Sequence, residues 1–286
     1  MVVVAEVRVS LFSFLLCSSV MLLPLLPKLN AKVSFFIHEY WLYLLLCYGI
    51  LSLAILRLVY RAPISSQVAL RAGSIGFGFG LGFLLSLYSA PWRVFGWYMM
   101  VLCFFHFSEY FVTAWINPRS LSLDSFLLNH SVEYGIAVVA GITEYVIELF
   151  IIPGIKQVSI FSVVGLLIII AGEGLRKLAM FTARSNFNHI IQTYKERDHV
   201  LVTHGIYKYM RHPSYVGWFI WTLGTQLMLC NPICLVAYTL ASWRFFKERV
   251  IEEEITLLNF FGEDYIDYQK AVPTGLPFIK GYRWEL

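Results

Sequence analysis

Two short stretches of this chain hold residue types that can do chemistry. The first is Arg211-His212-Pro213-Ser214-Tyr215. The second runs Arg244, Lys247, Glu248, Arg249 and then Glu252-Glu253-Glu254. Proline suits the first position of a helix, where its missing N–H costs nothing. The free backbone N–H groups of such a first turn can meet a carboxylate on a ligand. In the second stretch Arg249 and Glu253 are four residues apart, so a helix sets both on one face. The plainer alternatives are a helix start with a basic interface anchor, and a surface salt bridge on an amphipathic helix. Ile251, Ile255, Leu258 and Phe261 would give that helix an apolar stripe able to lie on a membrane.

The elements between the clusters favour chemistry. Two apolar segments, 213–229 and 232–247, flank Asn231-Pro232 and predict a helical hairpin. A hairpin returns the end of its second helix to the start of its first. His212–Tyr215 and Arg249–Glu253 should therefore meet at one mouth.

Composition sets the surroundings. The chain has 286 residues, 58% of them hydrophobic and only 14% charged, where a soluble domain carries about 25% charged residues. Several apolar runs reach the ~17–25 residues that a membrane-crossing helix needs. The expected fold is all-α and polytopic, with spans near 11–27, 38–59, 69–89, 93–116, 130–152 and 158–181, and then the hairpin. That makes about eight transmembrane helices, with N-terminal membrane helices over 1–157 and a catalytic region over 158–286. The net charge of +4 is modest and dispersed, so nucleic acid is not an expected partner.

With a cytosolic N-terminus, the non-cytosolic loops hold Lys28, Lys32, Arg93 and Lys156, and every other Lys and Arg falls on the cytosolic side. That bias sets the expected orientation, with both termini and the candidate site cytosolic. The run from Leu11 to Pro27 lacks a clear signal-peptide n-region and cleavage site, so a retained first helix is expected. Neither MVVV at the start nor RWEL at the end is a lipidation motif.

Other features read as architecture. Gly73–Gly82, GSIGFGFGLG, has no preceding strand and no acidic residue about 20 positions on, so a dinucleotide loop and a Rossmann fold are not expected. Gly76/Gly80 and Gly78/Gly82 have the spacing for close helix packing in lipid. His106, Glu109, Glu133, Glu144, Glu148 and Glu173 lie in apolar runs and are expected mainly to bond between helices. Cys230 and Cys234 flank the Asn-Pro turn without a completing ligand pair, so no metal site is expected. From Glu173 onward polar residues crowd together, and a helix is expected to leave the membrane there and continue into the cytosol. Lys195–Asp198 predicts a solvated turn, and His199 to Tyr207 an irregular connector hinged at Gly205.

LVTHGIYKYMRHPSYVG, with Glu252-Glu253 downstream, resembles the isoprenylcysteine carboxyl methyltransferase family of integral-membrane enzymes, which has an RHPxYxG box and an EE pair. The likeness runs from Asn186 to Gly281 and includes SNFNH, CNPIC and PTGLPFIKG. It implies S-adenosylmethionine as cofactor, held at the cytosolic face by Gln192, the backbone of His199, Val200, Leu201 and Val202, Tyr207, His212, Pro213, Ser214, Tyr215 and Glu253. It implies that Arg249 faces the substrate carboxylate. The substrates implied are C-terminally prenylated CaaX proteins, such as small GTPases, in the endoplasmic reticulum membrane.

The chemistry agrees with that resemblance. A prenylcysteine α-carboxylate, with a pKa near ~3.5, is ionised at neutral pH and needs no strong base to attack a sulfonium methyl. It needs desolvation, alignment and a cation that positions it. Membrane phospholipid N-methyltransferases and some sterol reductases share the RHPxYxG box and supply the alternative reading. A transporter is disfavoured, because no internal repeat is evident and the polar residues gather at one membrane face.

Overall fold

The computed structural model describes residues 2–28, 31–129 and 131–282. Met1 and the RWEL end, where no lipidation motif was expected, lie outside those residues, as does His130 at the expected start of the fifth span. Nine α-helices and no strand occur among the described residues. They are α1 Val2–Ser18, α2 Ala31–Val59, α3 Pro63–Tyr88, α4 Ala90–Ile116, α5 Val132–Ile151, α6 Ile160–Ala183, α7 Pro213–Met228, α8 Pro232–Phe261 and α9 Glu263–Ala271. Six segments are long and apolar enough to cross a bilayer: Ala5–Leu25, Glu39–Val59, Pro63–Tyr88, Ala90–Ile116, Val132–Ile151 and Pro153–Asn186. These match the first six expected spans, so the chain is a multi-pass membrane protein. At 16 residues α7 is shorter than a full crossing, and the second half of α8 is heavily charged.

The chain forms two compact units. One comprises Met1–Trp115, Ser122–His130 and Lys156–Val158, and the other Ile116–Leu121, Ser131–Ile155 and Ser159–Leu286. In the first, the glycines of α3 serve two neighbours. A Cβ on Gly80 would stand 2.8 Å from the Ser18 carbonyl, and one on Gly76 would strike the Phe14 carbonyl, so this face lies directly on α1. A Cβ on Gly82 would lie 2.9 Å from the Gly96 carbonyl of α4, and one on Gly78 would lie 3.0 Å from Cys103 Sγ. Gly76, Gly80 and Gly82 thus sit where backbones approach closely, and Gly78 makes room for the Cys103 side chain. His106 reaches the Phe126 carbonyl through Nδ1 at 2.9 Å, an inter-segment bond of the kind expected for a buried polar group.

In the second unit α6 and α7 lock together through glycines spaced by seven. A Cβ on Gly172 would lie 2.6 Å from the Gly217 carbonyl, and one on Gly217 would lie 2.7 Å from the Gly172 carbonyl. Gly165 and Gly224 repeat this contact two turns away, with a Cβ on Gly224 only 3.0 Å from the Gly165 carbonyl. Small residues let the helix backbones touch, and dispersion contacts accumulate along the seam.

The Asn-Pro turn forms as expected. Cys230 takes a left-handed φ of 52°, and Asn231, almost fully buried, donates to the Gly141 carbonyl at 2.8 Å and to Gln226 Oε1 at 3.0 Å. Glu144 of α5 accepts from the N–H groups of Ile233 at 2.7 Å and Cys234 at 2.6 Å. A carboxylate therefore caps the start of α8, where orphan donors and the helix dipole favour it. These bonds tie α5 to the start of α8 within the second unit.

The helix expected to run on past Glu173 does so as far as Ala183, where Arg184 adopts φ 50° and a short 3-10 turn follows over Arg184–Asn186. One expectation needs correction. The stripe expected to lie on the membrane instead closes a protein core in part. Leu258 and Phe261 pack with Leu257 and Leu201 on Tyr265, Tyr268 and Val272.

The glycine seam makes a sharp prediction. Gly217→Ala should destabilise the protein by about 1–3 kcal/mol, as overpacking does, and lower the melting temperature of detergent-purified protein. Gly174→Ala, on the same helix pair but with nothing within 4 Å of an added Cβ, should leave it within about ±0.5 kcal/mol.

Candidate active site

The loop before α7 and the charged turns of α8 come together within the second unit. His212 is the link. Its Nε2 lies 3.0 Å from Glu254 Oε1 and its Nδ1 lies 3.4 Å from Glu253 Oε2. The ring stacks parallel to Tyr215, with centroids 5.6 Å apart. Arg249 follows, its guanidinium carbon 5.9 Å from the ring centres of both Tyr215 and Phe245. The hairpin therefore brings Arg249, Tyr215, His212 and Glu253 to one mouth, as the spacing required.

The pairing inside this group differs from the simplest helical expectation. Glu253 forms its ion pair with His212 and not with Arg249. No carboxylate among the described residues forms an ion pair with Arg249, which donates through Nη2 to the His189 carbonyl at 3.0 Å. Glu253 is 32% exposed by side chain, yet its Oε2 is buried. That oxygen takes no hydrogen bond among the described residues, the 3.4 Å approach of His212 being an ion-pair contact only. A buried acceptor in this state suits an ammonium or hydroxyl from a bound molecule.

Electrostatics sharpen the picture. Burial alone would lower the His212 pKa, but the contacts and negative charges of Glu253 and Glu254 outweigh it and raise it to about 9. Burial would raise both carboxyls, but the His212 imidazolium holds them below the usual range, with Arg249 adding to the effect on Glu253 and Arg211 on Glu254. The cluster therefore consists of charged groups in close contact at neutral pH. Burial and the nearby Glu253 charge push the Tyr207 phenol up, so it stays a neutral donor.

The connector supplies the remaining expected residues. Its 3-10 turn, Gly205–Lys208, begins at Gly205 with φ 58°, where the hinge was expected. Lys195–Asp198 is an exposed turn. The Val200 N–H donates to Asn186 Oδ1 at 2.8 Å, and the Tyr207 carbonyl accepts from the Tyr268 hydroxyl at 2.6 Å. His199 stands edge-on to Phe260 and Phe261. Leu201 packs on the α9 cluster, and Val202 is half-buried. Gln192 is half-buried with its amide on the Ile190 carbonyl at 3.0 Å. Pro213 and Ser214 are buried at the start of α7. One first-turn donor expected to be free is not, because the Tyr215 N–H already bonds the His212 carbonyl at 3.1 Å.

Two features escaped the sequence reading. Arg176, grouped there with a polar crowd, is buried with Nη1 2.7 Å from Ser214 Oγ and its guanidinium carbon 4.8 Å from the Trp218 ring centre. An arginine one turn past Gly172 was the available signal, since the glycine contact sets α7 against it. The other is Glu254. Its carboxylate, 0% exposed, accepts at Oε1 from Arg211 Nε (2.8 Å), His212 Nε2 (3.0 Å) and the Tyr265 hydroxyl (3.1 Å). At Oε2 it accepts from Gln269 Nε2 (3.0 Å) and the Tyr282 N–H (2.8 Å). Nothing in the run of three glutamates distinguishes it.

Comparison with known proteins identifies the family. The model of the isoprenylcysteine carboxyl methyltransferase (ICMT) family matches residues 163–259. The Xenopus laevis protein-S-isoprenylcysteine O-methyltransferase is 54% identical over 280 residues, covering 98% of this chain and 97% of that protein. The Homo sapiens protein of the same name is 52% identical over 284 residues, covering 99% and 96%. A solved structure described as the eukaryotic intramembrane Ras methyltransferase ICMT superposes with a TM-score of 0.89 at 43% identity, covering 97% of this chain and 99% of that one. With this identity along the chain's full length, and with box and glutamates at one mouth, the chain belongs to the isoprenylcysteine carboxyl methyltransferase family.

Proposed function

We propose that this chain transfers a methyl group from S-adenosylmethionine to the C-terminal prenylcysteine carboxylate of processed CaaX proteins, small GTPases among them. The observation that carries this reading is the meeting at one mouth of Glu253, whose buried Oε2 has only the 3.4 Å ion-pair contact from His212, and Arg249, which bonds the His189 carbonyl and has no carboxylate partner among the described residues. The residues present fit the methyl donor, whose ammonium Glu253 would accept. Gln192, the His199–Val202 backbone, Tyr207 and the His212–Tyr215 turn would complete its cradle. When bound, the donor supplies an electrophilic sulfonium methyl.

The chain's own residues then do three things. Arg249 offers two parallel N–H donors to the substrate carboxylate and holds it in line with the methyl. Tyr215 and Phe245, beside Arg249, exclude water from that contact and strengthen it. His212 keeps Glu253 ionised and in place. No proton needs to be removed, because the nucleophile is already a carboxylate with a pKa near ~3.5.

The same reading takes residues 158–286 as the catalytic region and counts α7 and the first half of α8 as two further crossings, about eight in all. The excess of Lys and Arg on one side supports a cytosolic site and termini, and the family supports the endoplasmic reticulum membrane. A lipid-amine or sterol acceptor is less favoured, because neither uses a guanidinium to clamp a carboxylate.

Purified protein given labelled S-adenosylmethionine and N-acetyl-S-farnesylcysteine should form the base-labile methyl ester, with none formed on phosphatidylethanolamine. Absence of ester from folded protein would overturn the reading. Arg249→Ala should lower kcat/KM at least ~100-fold, the scale of a misplaced reactant, with donor binding largely kept. Glu253→Gln should weaken donor binding by roughly 10–100-fold, the ~1.5–3 kcal/mol of a charged hydrogen bond. A pH series adds a third check. His212 has a folded pKa of about 9, above its ordinary value near ~6.5. Its contribution to stability is full below about 6.5 and is lost as pH rises towards about 9. Melting temperature and donor affinity should both fall across that window, and His212→Gln should flatten both curves.

A further inference from the structure

Glu254 occupies a place that the methyl-transfer reading leaves without a role. Its side chain is fully buried, and five protein donors converge on it. On one side stand His212 and Arg211 of the loop before α7, and on the other Gln269 of α9 and the N–H of Tyr282. The Arg211 guanidinium extends the tie to the carbonyls of Gln269 (3.2 Å), Val272 and Lys280 (3.1 Å). The backbone joins in as well, with the Arg211 N–H on the Pro273 carbonyl at 2.9 Å and the His212 N–H on that of Thr274 at 3.1 Å. Gly281 closes the knot. It holds φ 82°, and a Cβ there would collide with Glu254 Oε2.

His212 is therefore hydrogen-bonded at Nε2 by Glu254 and in ion-pair contact at Nδ1 with Glu253, adjacent glutamates of one helix. Glu254 at Nε2 has no freedom to move, whereas Glu253 at Nδ1 faces the mouth. A ring fixed at one nitrogen has its other nitrogen fixed in direction.

We infer that Glu254 is a positioning residue for the methyl-donor site: anchored by residues 269–282, it locks the His212 ring so that Nδ1 holds the Glu253 carboxylate where the donor's ammonium meets it. This rests on the donor reading of Glu253. It also makes the C-terminal segment part of the cofactor site although none of its residues need touch the ligand. The charged and titratable groups around His212 are Glu253 and Glu254 of α8 and Tyr215 of α7, with Arg211 and Tyr265 across Glu254.

The test uses Glu254→Gln and Gly281→Ala in the full-length protein. In Glu254→Gln the Arg211 guanidinium keeps its three carbonyl acceptors. Gly281→Ala retains every charged group but strains a backbone at φ 82° and crowds both the Glu254 carboxylate and Arg211 Nη2. Binding of S-adenosylhomocysteine, measured by calorimetry on protein without substrate, should weaken about tenfold in both. The KM for S-adenosylmethionine should rise in parallel while kcat stays within about threefold. In Glu254→Gln the alkaline fall in affinity should also move to lower pH, since one of two carboxylates holding the imidazolium is gone. Wild-type S-adenosylhomocysteine affinity and an unmoved alkaline limb in either folded variant would overturn the inference. A wild-type enzyme that makes no methyl ester would instead overturn the functional reading on which it rests.

Discussion

A carboxylate with no access to water can remain charged only if the protein replaces the whole of its hydration. Glu254 meets that demand with five donors, two of them on cations, drawn from three separate parts of the chain. The desolvation penalty of such a group is several kcal/mol, and breaking one partner exposes most of it. The loop before α7, the charged end of α8, α9 and the segment after it are therefore bound to a common centre. The candidate site lies on the outer side of that centre, where Glu253 has the same chemistry but one oxygen still open. Neighbouring residues of one helix thus divide the work: one satisfies the protein and the other is left for a ligand.

The transmembrane part serves the same arrangement by a different force. The backbones of α6 and α7 touch through Gly165, Gly172, Gly217 and Gly224, a contact that owes nothing to charge. It sets Arg176 against the first turn of α7, where its guanidinium reaches Ser214. At the other end of the hairpin, Glu144 and Asn231 satisfy the backbone donors and polar groups of a turn that would be costly to leave unbonded. The two hairpin helices are thereby fixed at both ends, which gives the mouth a definite geometry.

Much of this could be read from the residues. Asn231-Pro232 between two apolar segments required a hairpin, and the hairpin required His212 and Arg249 to meet. The glycine pairs of α3 implied close approach because their spacing places them on helix faces. What could not be read was rotational. Glu253 and Glu254 are identical in type and adjacent, and only the packing of α9 and the following segment decides which turns inward. The ion-pair partner of Glu253 is not legible for a related reason: four-residue spacing makes Arg249 its neighbour on the helix and adds to its stabilisation, but the imidazolium from another element lies closer. The stop of α6 at Arg184 depends on a left-handed φ at an arginine, which residue type does not announce. The glycine seam of α6 and α7 did have a visible signal, a spacing of seven in both helices, and the small residues simply stood too far apart to look like a motif.

The bond from Arg211 to the Lys280 carbonyl spans 69 positions of chain. A ribosome delivers the loop before α7 long before it delivers the strand of backbone that completes it, and pairing across such a separation is entropically slow. During that interval Arg211 and Glu254 have each other but lack the bonds from Gln269, Lys280 and Tyr282. Segments 69 positions apart in the chain thus have to be made before Arg211 and Glu254 reach their full complement of bonds.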